Sequence, residues 1–107
     1  MITTATATTN NQLQIILARE AVGNLIQQHL WEDEVMLKKC MELTRAAARI
    51  ASQKQAKNLA RDLVVLREVF FTCVEDGVRL SEPLRRFVGE YYSQLCADLE
   101  QEAHLFS

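Results

Sequence analysis

Between Asn10 and Phe106, apolar residues recur every three to four positions, the spacing that gathers side chains on one face of a helix. Only three glycines and one proline stand in the chain to interrupt the pattern. The chain therefore reads as all-α, without a sheet. The first helix is predicted to begin at Thr8 or Thr9, where Thr9 and Gln12 have the spacing of a capping box. Its inner face reads as Leu13, Ile16, Leu17, Val22, Leu25, Ile26 and Leu30. Gly23 is a weak point within it, costing about 1 kcal/mol relative to alanine. A bend is predicted near His29 to Glu32. The Glu32-Asp33-Glu34 cluster suits the first turn of a new helix, since carboxylates favour the positive end of the helix dipole.

Helix two carries Met36, Cys40, Leu43, Ala47 and Ile50, and helix three carries Leu59, Leu63, Leu66, Phe70 and Cys73. Each set is a seam for packing against another helix. Extending the first seam lands on Lys54 and Lys57, so the two are out of register. Two arrangements satisfy this. Either a turn starts a new helix at Ser52, with Gln55 completing a capping box, or one long helix changes its buried face. Glu75-Asp76-Gly77 marks a stop, with Gly77 suited to the left-handed position after a helix. Ser81-Glu82-Pro83 marks a start, because serine caps well and proline is tolerated in a first turn. Helix four then runs to about Leu105, with Leu84, Phe87, Val88, Tyr91, Leu95 and Leu99 facing inward.

These elements predict an antiparallel bundle of about four helices, with helices two and three fused in the alternative arrangement. The threonine-rich segment 1–10 is expected to be a disordered tail, and 11–107 a single helical-bundle domain. At 107 residues and 49% hydrophobic, the chain supports one modest core. The apolar faces left over predict self-association, most simply as a twofold homodimer.

Charge sharpens this picture. From Lys38 to Arg67, eight basic residues face only Glu42 and Asp62, a local +6 in a chain of net charge −2. The preceding segment carries −3 and the following one −5. Arg45 with Arg49, and Lys54 with Lys57 and Arg61, stand at helical neighbour spacings, so each set shares a face. That face reads as solvated and paired with the acidic helices of the same chain or of its dimer mate, as a dock for an acidic protein, or as a nucleic-acid surface. The overall acidity and the lack of a zinc-finger or helix-turn-helix signature count against the last.

Chemistry adds little. There are two histidines and no glycine-rich phosphate loop or nucleophile elbow, so no catalytic residue and no cofactor is assigned. His29 with Glu32 or Asp33, and Glu100 with His104, have ligand spacing, but the other helices offer no matching inward acid, so no metal is assigned. Cys40, Cys73 and Cys96 are odd in number and widely spaced, which suits small apolar residues in a reducing compartment. The longest apolar runs are four residues, against the roughly twenty of a membrane span. The N-terminus lacks the basic start and apolar centre of a signal peptide, so a cytoplasmic location is expected.

The expected function is a small non-enzymatic protein–protein interaction module, an adaptor, export-type chaperone or sequestering regulator. It would grip a partner protein through amphipathic helices. A dimeric nucleic-acid-binding regulator using the Lys38–Arg67 face is the alternative, and a structural subunit the second. Candidate partner-binding residues are Trp31, Arg45, Arg49, Lys54, Lys57, Arg61, Phe71 and Tyr92. The three aromatics are included because Phe71 and Tyr92 follow inward-facing rings and Trp31 stands at a helix junction.

Overall fold

The computed structural model describes residues 3–106, with side chains from Asn11 to Phe106. Four helices pack against each other: α1 over Thr3–Gln27, α2 over Glu34–Gln53, α3 over Lys57–Glu75 and α4 over Glu82–Glu102. A short 3-10 turn, Ala103–Phe106, follows α4 and closes against α1. α2 packs most extensively on α3, α1 lies on α2, and α4 rests mainly on α3 and only lightly on α1. The molecule is elongated, 48 × 23 × 22 Å.

α1 begins ahead of the predicted start, so Thr9 and Gln12 lie inside it rather than capping it. No glycine or proline between Thr3 and Asn10 breaks the helix. Of the segment expected as a tail, residues 1 and 2 and every side chain lie outside the described residues.

The chain reverses between α1 and α2, and between α2 and α3, by the same device. At the end of α1, the Leu30 amide donates to the Leu25 carbonyl (2.9 Å) and the His29 amide to that of Ile26 (3.3 Å). At the end of α2, the Ala56 amide donates to Ala51 (2.9 Å) and the Gln55 amide to Ser52 (3.1 Å). Both are Schellman caps, which place one residue in the left-handed region. Here those residues are His29 (φ 54) and Gln55 (φ 61), neither of them glycine. A turn therefore separates helices two and three, as in the first of the two predicted arrangements, but it falls later than Ser52. Ser52 and Gln53 complete α2, and Ala56 is the N-cap of α3. The sequence hid this reversal because the position that favours glycine holds glutamine. Gly77 (φ 67) takes the left-handed position after α3.

Starts are marked more conventionally. The Asp33 carboxylate accepts the Met36 amide at 3.0 Å and caps α2. Ser81 caps α4 in extended conformation with Pro83 just inside, although its side chain makes no capping bond. Ala56 has no side chain that could cap α3. The cap comes from across the bundle, where the Glu102 carboxylate accepts the Leu59 amide at 3.0 Å and the Asn58 amide at 3.4 Å. α3 and α4 thus meet antiparallel, with an acid of one on the positive end of the other.

The core is one continuous cluster. Leu59, Leu63, Leu66 and Phe70 are fully buried, as the seam of helix three predicts. α2 turns small side chains inward (Cys40, Thr44, Ala47, Ala48 and Ala51), which lets its neighbours approach closely, while Met36, Leu43 and Ile50 are only partly buried beside them. Thr44 is satisfied by donating its hydroxyl to the Cys40 carbonyl at 2.7 Å.

α1 departs from expectation. Its buried residues are Ile15, Ala18, Ala21, Val22 and Leu25, whereas Leu13 and Leu17 are exposed. Two alanines and an isoleucine give the closer packing surface, and the leucines are turned out. Gly23 is buried because Tyr92 occupies the space beside it; a Cβ there would meet the Tyr92 hydroxyl at 2.7 Å. The predicted weak point is a close crossing of α1 and α4. In α4, Val88 and Leu95 are buried, but Phe87 stays about one-third exposed, its ring 4.9 Å from that of Tyr91. Phe106, on the 3-10 turn, fills core space that the sequence pattern did not reveal.

Candidate functional site

Among the described residues no group of three or more histidine, cysteine or acidic side chains could hold a metal ion, and no helix is long and apolar enough to cross a membrane. The three cysteines are free thiols. Burial pushes the Cys40 thiol up to about 12 against the opposing pull of Lys39, so it stays protonated and unreactive. Burial raises Cys73 as well.

The surface feature with chemical content is the outer face of the α2–α3 hairpin. Ala48 and Ser52 of α2, Gln55 of the turn, and Ala60, Val64 and Val65 of α3 line a shallow, mainly apolar depression, rimmed by Lys57 and Arg61. Val64 is 40% exposed and Phe71 47% exposed. Phe71 lies two helical turns beyond Val64, on the same side of α3. Arg45 stands one turn before Ala48 on that side of α2, and Arg49 one turn after Arg45. Arg45, Arg49, Lys54 and Lys57 are all exposed. Lys57 and Arg61 thus meet the depression directly, and helix periodicity sets Arg45 and Arg49 on the adjoining side of α2.

Arg45, Arg49, Lys54 and Lys57 have no carboxylate within ion-pair distance among the described residues. Among the described residues, the pairing of the basic segment with another helix of the same chain is made by Arg61. Its guanidinium lies 3.2 Å from Asp62 and 3.4 Å from Asp98 of α4. Arg67 pairs with its neighbour Glu68 at 3.2 Å.

Trp31 and Tyr92 do not join this face. Trp31 is 8% exposed, held in the α1–α2 connection with the Arg85 guanidinium 5.7 Å above its ring. Arg85 is fixed in turn by donating to the Leu80 carbonyl at 2.8 Å. The tryptophan is an anchor of the fold with no free ring face to offer a partner. Tyr92 lies against Gly23 between α1 and α4, beside Arg19, Glu20 and Cys96. Burial raises its hydroxyl, and the neighbouring Cys96 adds to the effect. Of the three aromatic candidates, only Phe71 is available at the surface of the hairpin.

The sequence reading missed Leu13 and Leu17 as outer residues and Asp62 as a fully buried one. No sequence signal separated Asp62 from the other acids, because its burial depends on where α4 lands.

No family model, no curated protein and no solved structure matches the chain.

Proposed function

We propose that the protein is a non-enzymatic interaction module whose α2–α3 face holds an acidic amphipathic helix of a partner protein. One observation carries this reading. Lys57 and Arg61 rim the depression lined by the partly exposed Val64, Arg45 and Arg49 share the adjoining side of α2, Phe71 stands further along α3, and Arg45, Arg49 and Lys57 have no carboxylate within ion-pair distance among the described residues. A helix with an apolar stripe would cover Val64 and Phe71, and acids beside the stripe would meet the cations. Apolar burial supplies most of the affinity. Exposed ion pairs add about 0–1 kcal/mol each and chiefly set orientation and encounter rate.

A nucleic acid fits this face less well. Phosphate contacts gain nothing from apolar side chains set among the cations, and the net charge of −2 gives no long-range attraction.

The experiment is co-purification from the native host, identification of the bound protein, and titration of that protein, purified, against wild type, Arg45→Glu/Arg49→Glu and Phe71→Ser. Binding weakened more than about tenfold by both variants supports the reading, equivalent to about 1.4 kcal/mol or more each. Binding unchanged by both overturns it. A gel shift with duplex DNA or RNA that weakens steeply with salt would replace it with the nucleic-acid reading. Sedimentation showing a dimer that the charge reversal dissolves would make a second copy of this chain the occupant.

A further inference from the structure

A cluster centred on Arg61, at the edge of the apolar depression, joins α3 to α4. Asp62 is fully buried, and its Oδ2 has no hydrogen-bond partner. Its Oδ1 accepts from Arg61 Nε (3.3 Å) and Nη2 (3.2 Å). The same Nη2 donates to Asp98 Oδ2 at 3.4 Å, and the Asp98 side chain is itself mostly buried. One turn earlier on α3, Glu102 caps the helix through the Asn58 and Leu59 amides. Three carboxyl groups therefore converge on one half-exposed guanidinium and one helix N-terminus. Arg61 cannot neutralise both aspartates, and no other cation lies within ion-pair distance of Asp62 among the described residues. Lys57 on α3, and Glu100 and His104 beyond Asp98, are exposed, and Arg67 and Cys96 are partly buried, Arg67 paired with Glu68.

We propose that Asp62 and Asp98 form a proton-operated latch that holds the C-terminal half of α4 on α3 when Asp62 is protonated and loosens it when both carboxyls ionise. A proton on Asp62 gives the orphan Oδ2 a hydrogen to donate, removes an uncompensated buried charge, and leaves Arg61 to Asp98. Without it, two like charges sit in one poorly solvated site. α4 is the helix on which this falls, because it rests mainly on α3 and only lightly on α1. The shift agrees in direction. Burial first, then Asp98 as acceptor and as like charge, push the Asp62 carboxyl up to about 7, against the lowering by Arg61. A folded-state value raised above the unfolded one contributes stability that is full below about pH 4 and is lost progressively as pH rises to about 7.

The test is carbon-13 NMR of the aspartate carboxyls in the intact protein, with urea midpoints of wild type and Asp62→Asn measured from about pH 5 to about pH 8.5. The latch predicts one aspartate titrating near neutrality, assigned to Asp62, and moving down by about one unit or more in Asp98→Asn. It also predicts a wild-type midpoint that falls from about pH 5 to about pH 7 and then levels, and one in Asp62→Asn that stays level throughout. Titration of Asp62 near the ordinary value of about 4 overturns the proposal, as does the same fall in Asp62→Asn as in wild type. If Asp62→Asn does not fold, the wild-type and Asp98→Asn titrations decide alone.

Discussion

The buried face of α1 is where sequence pattern and tertiary structure disagree most plainly, and two alanine substitutions on one helix decide between them. Ile15 is 0% exposed and Leu17 38% exposed, although the apolar periodicity alone places Leu17 inside. Removing a fully buried isoleucine side chain forfeits its transfer energy and leaves a cavity, so Ile15→Ala should cost about 2–5 kcal/mol. Leu17→Ala opens no closed cavity. Full burial of a leucine contributes about 1.5–3 kcal/mol, and Leu17 is 38% exposed, so its loss should cost about 1–2 kcal/mol. Alanine's higher helix propensity returns about a few tenths of a kcal/mol in both cases and does not change the order. A domain of this size shifts its melting temperature by about 4–8 °C per kcal/mol. Thermal unfolding followed by far-ultraviolet circular dichroism should show Ile15→Ala melting at least about 8 °C below wild type, with Leu17→Ala closer to it. If Leu17→Ala proves as damaging as Ile15→Ala, α1 is rotated, and the face reasoned from the leucines is the buried one.

Gly23→Ala, which at an ordinary helical site gains about 1 kcal/mol, should here be neutral or destabilising, because the new Cβ meets the Tyr92 hydroxyl at 2.7 Å. Adding Tyr92→Phe should recover part of any loss, and a clear rise in urea midpoint for Gly23→Ala alone would show that the α1–α4 crossing is looser than described. Glu102→Ala should cost about 0.5–2 kcal/mol, as for loss of an N-cap, since it frees the amides of Asn58 and Leu59. Amide hydrogen exchange should speed up at the start of α3, and unchanged protection there would remove Glu102 as its cap.

The sequence by itself determined what depends on near neighbours. Helical periodicity, Asp33 at the head of α2, Gly77 after α3 and Ser81 with Pro83 at the head of α4 act within about one turn, so each could be read locally. The seam from Leu59 to Phe70 was legible because every buried position but Asp62 holds a large apolar residue. The exposed cations of Arg45, Arg49, Lys54 and Lys57 were legible as spacings. Tertiary structure decided the rest, where side-chain identity and burial part company. α1 buries Ala18 and Ala21 and leaves Leu13 and Leu17 outside, because close approach of two helices favours small residues at the contact. Gln55 takes the left-handed turn that glycine would have announced, because α2 and α3 gain more from packing than the strained backbone costs. Trp31 is closed off and Phe71 left open by which neighbour each meets, and the sequence lists no neighbours. The meeting of Asp62 with Asp98, and of Glu102 with the start of α3, joins residues far apart in the chain. Charge count gives each acid the same standing, and only the placement of α4 makes one of them buried, one its rival and one a cap.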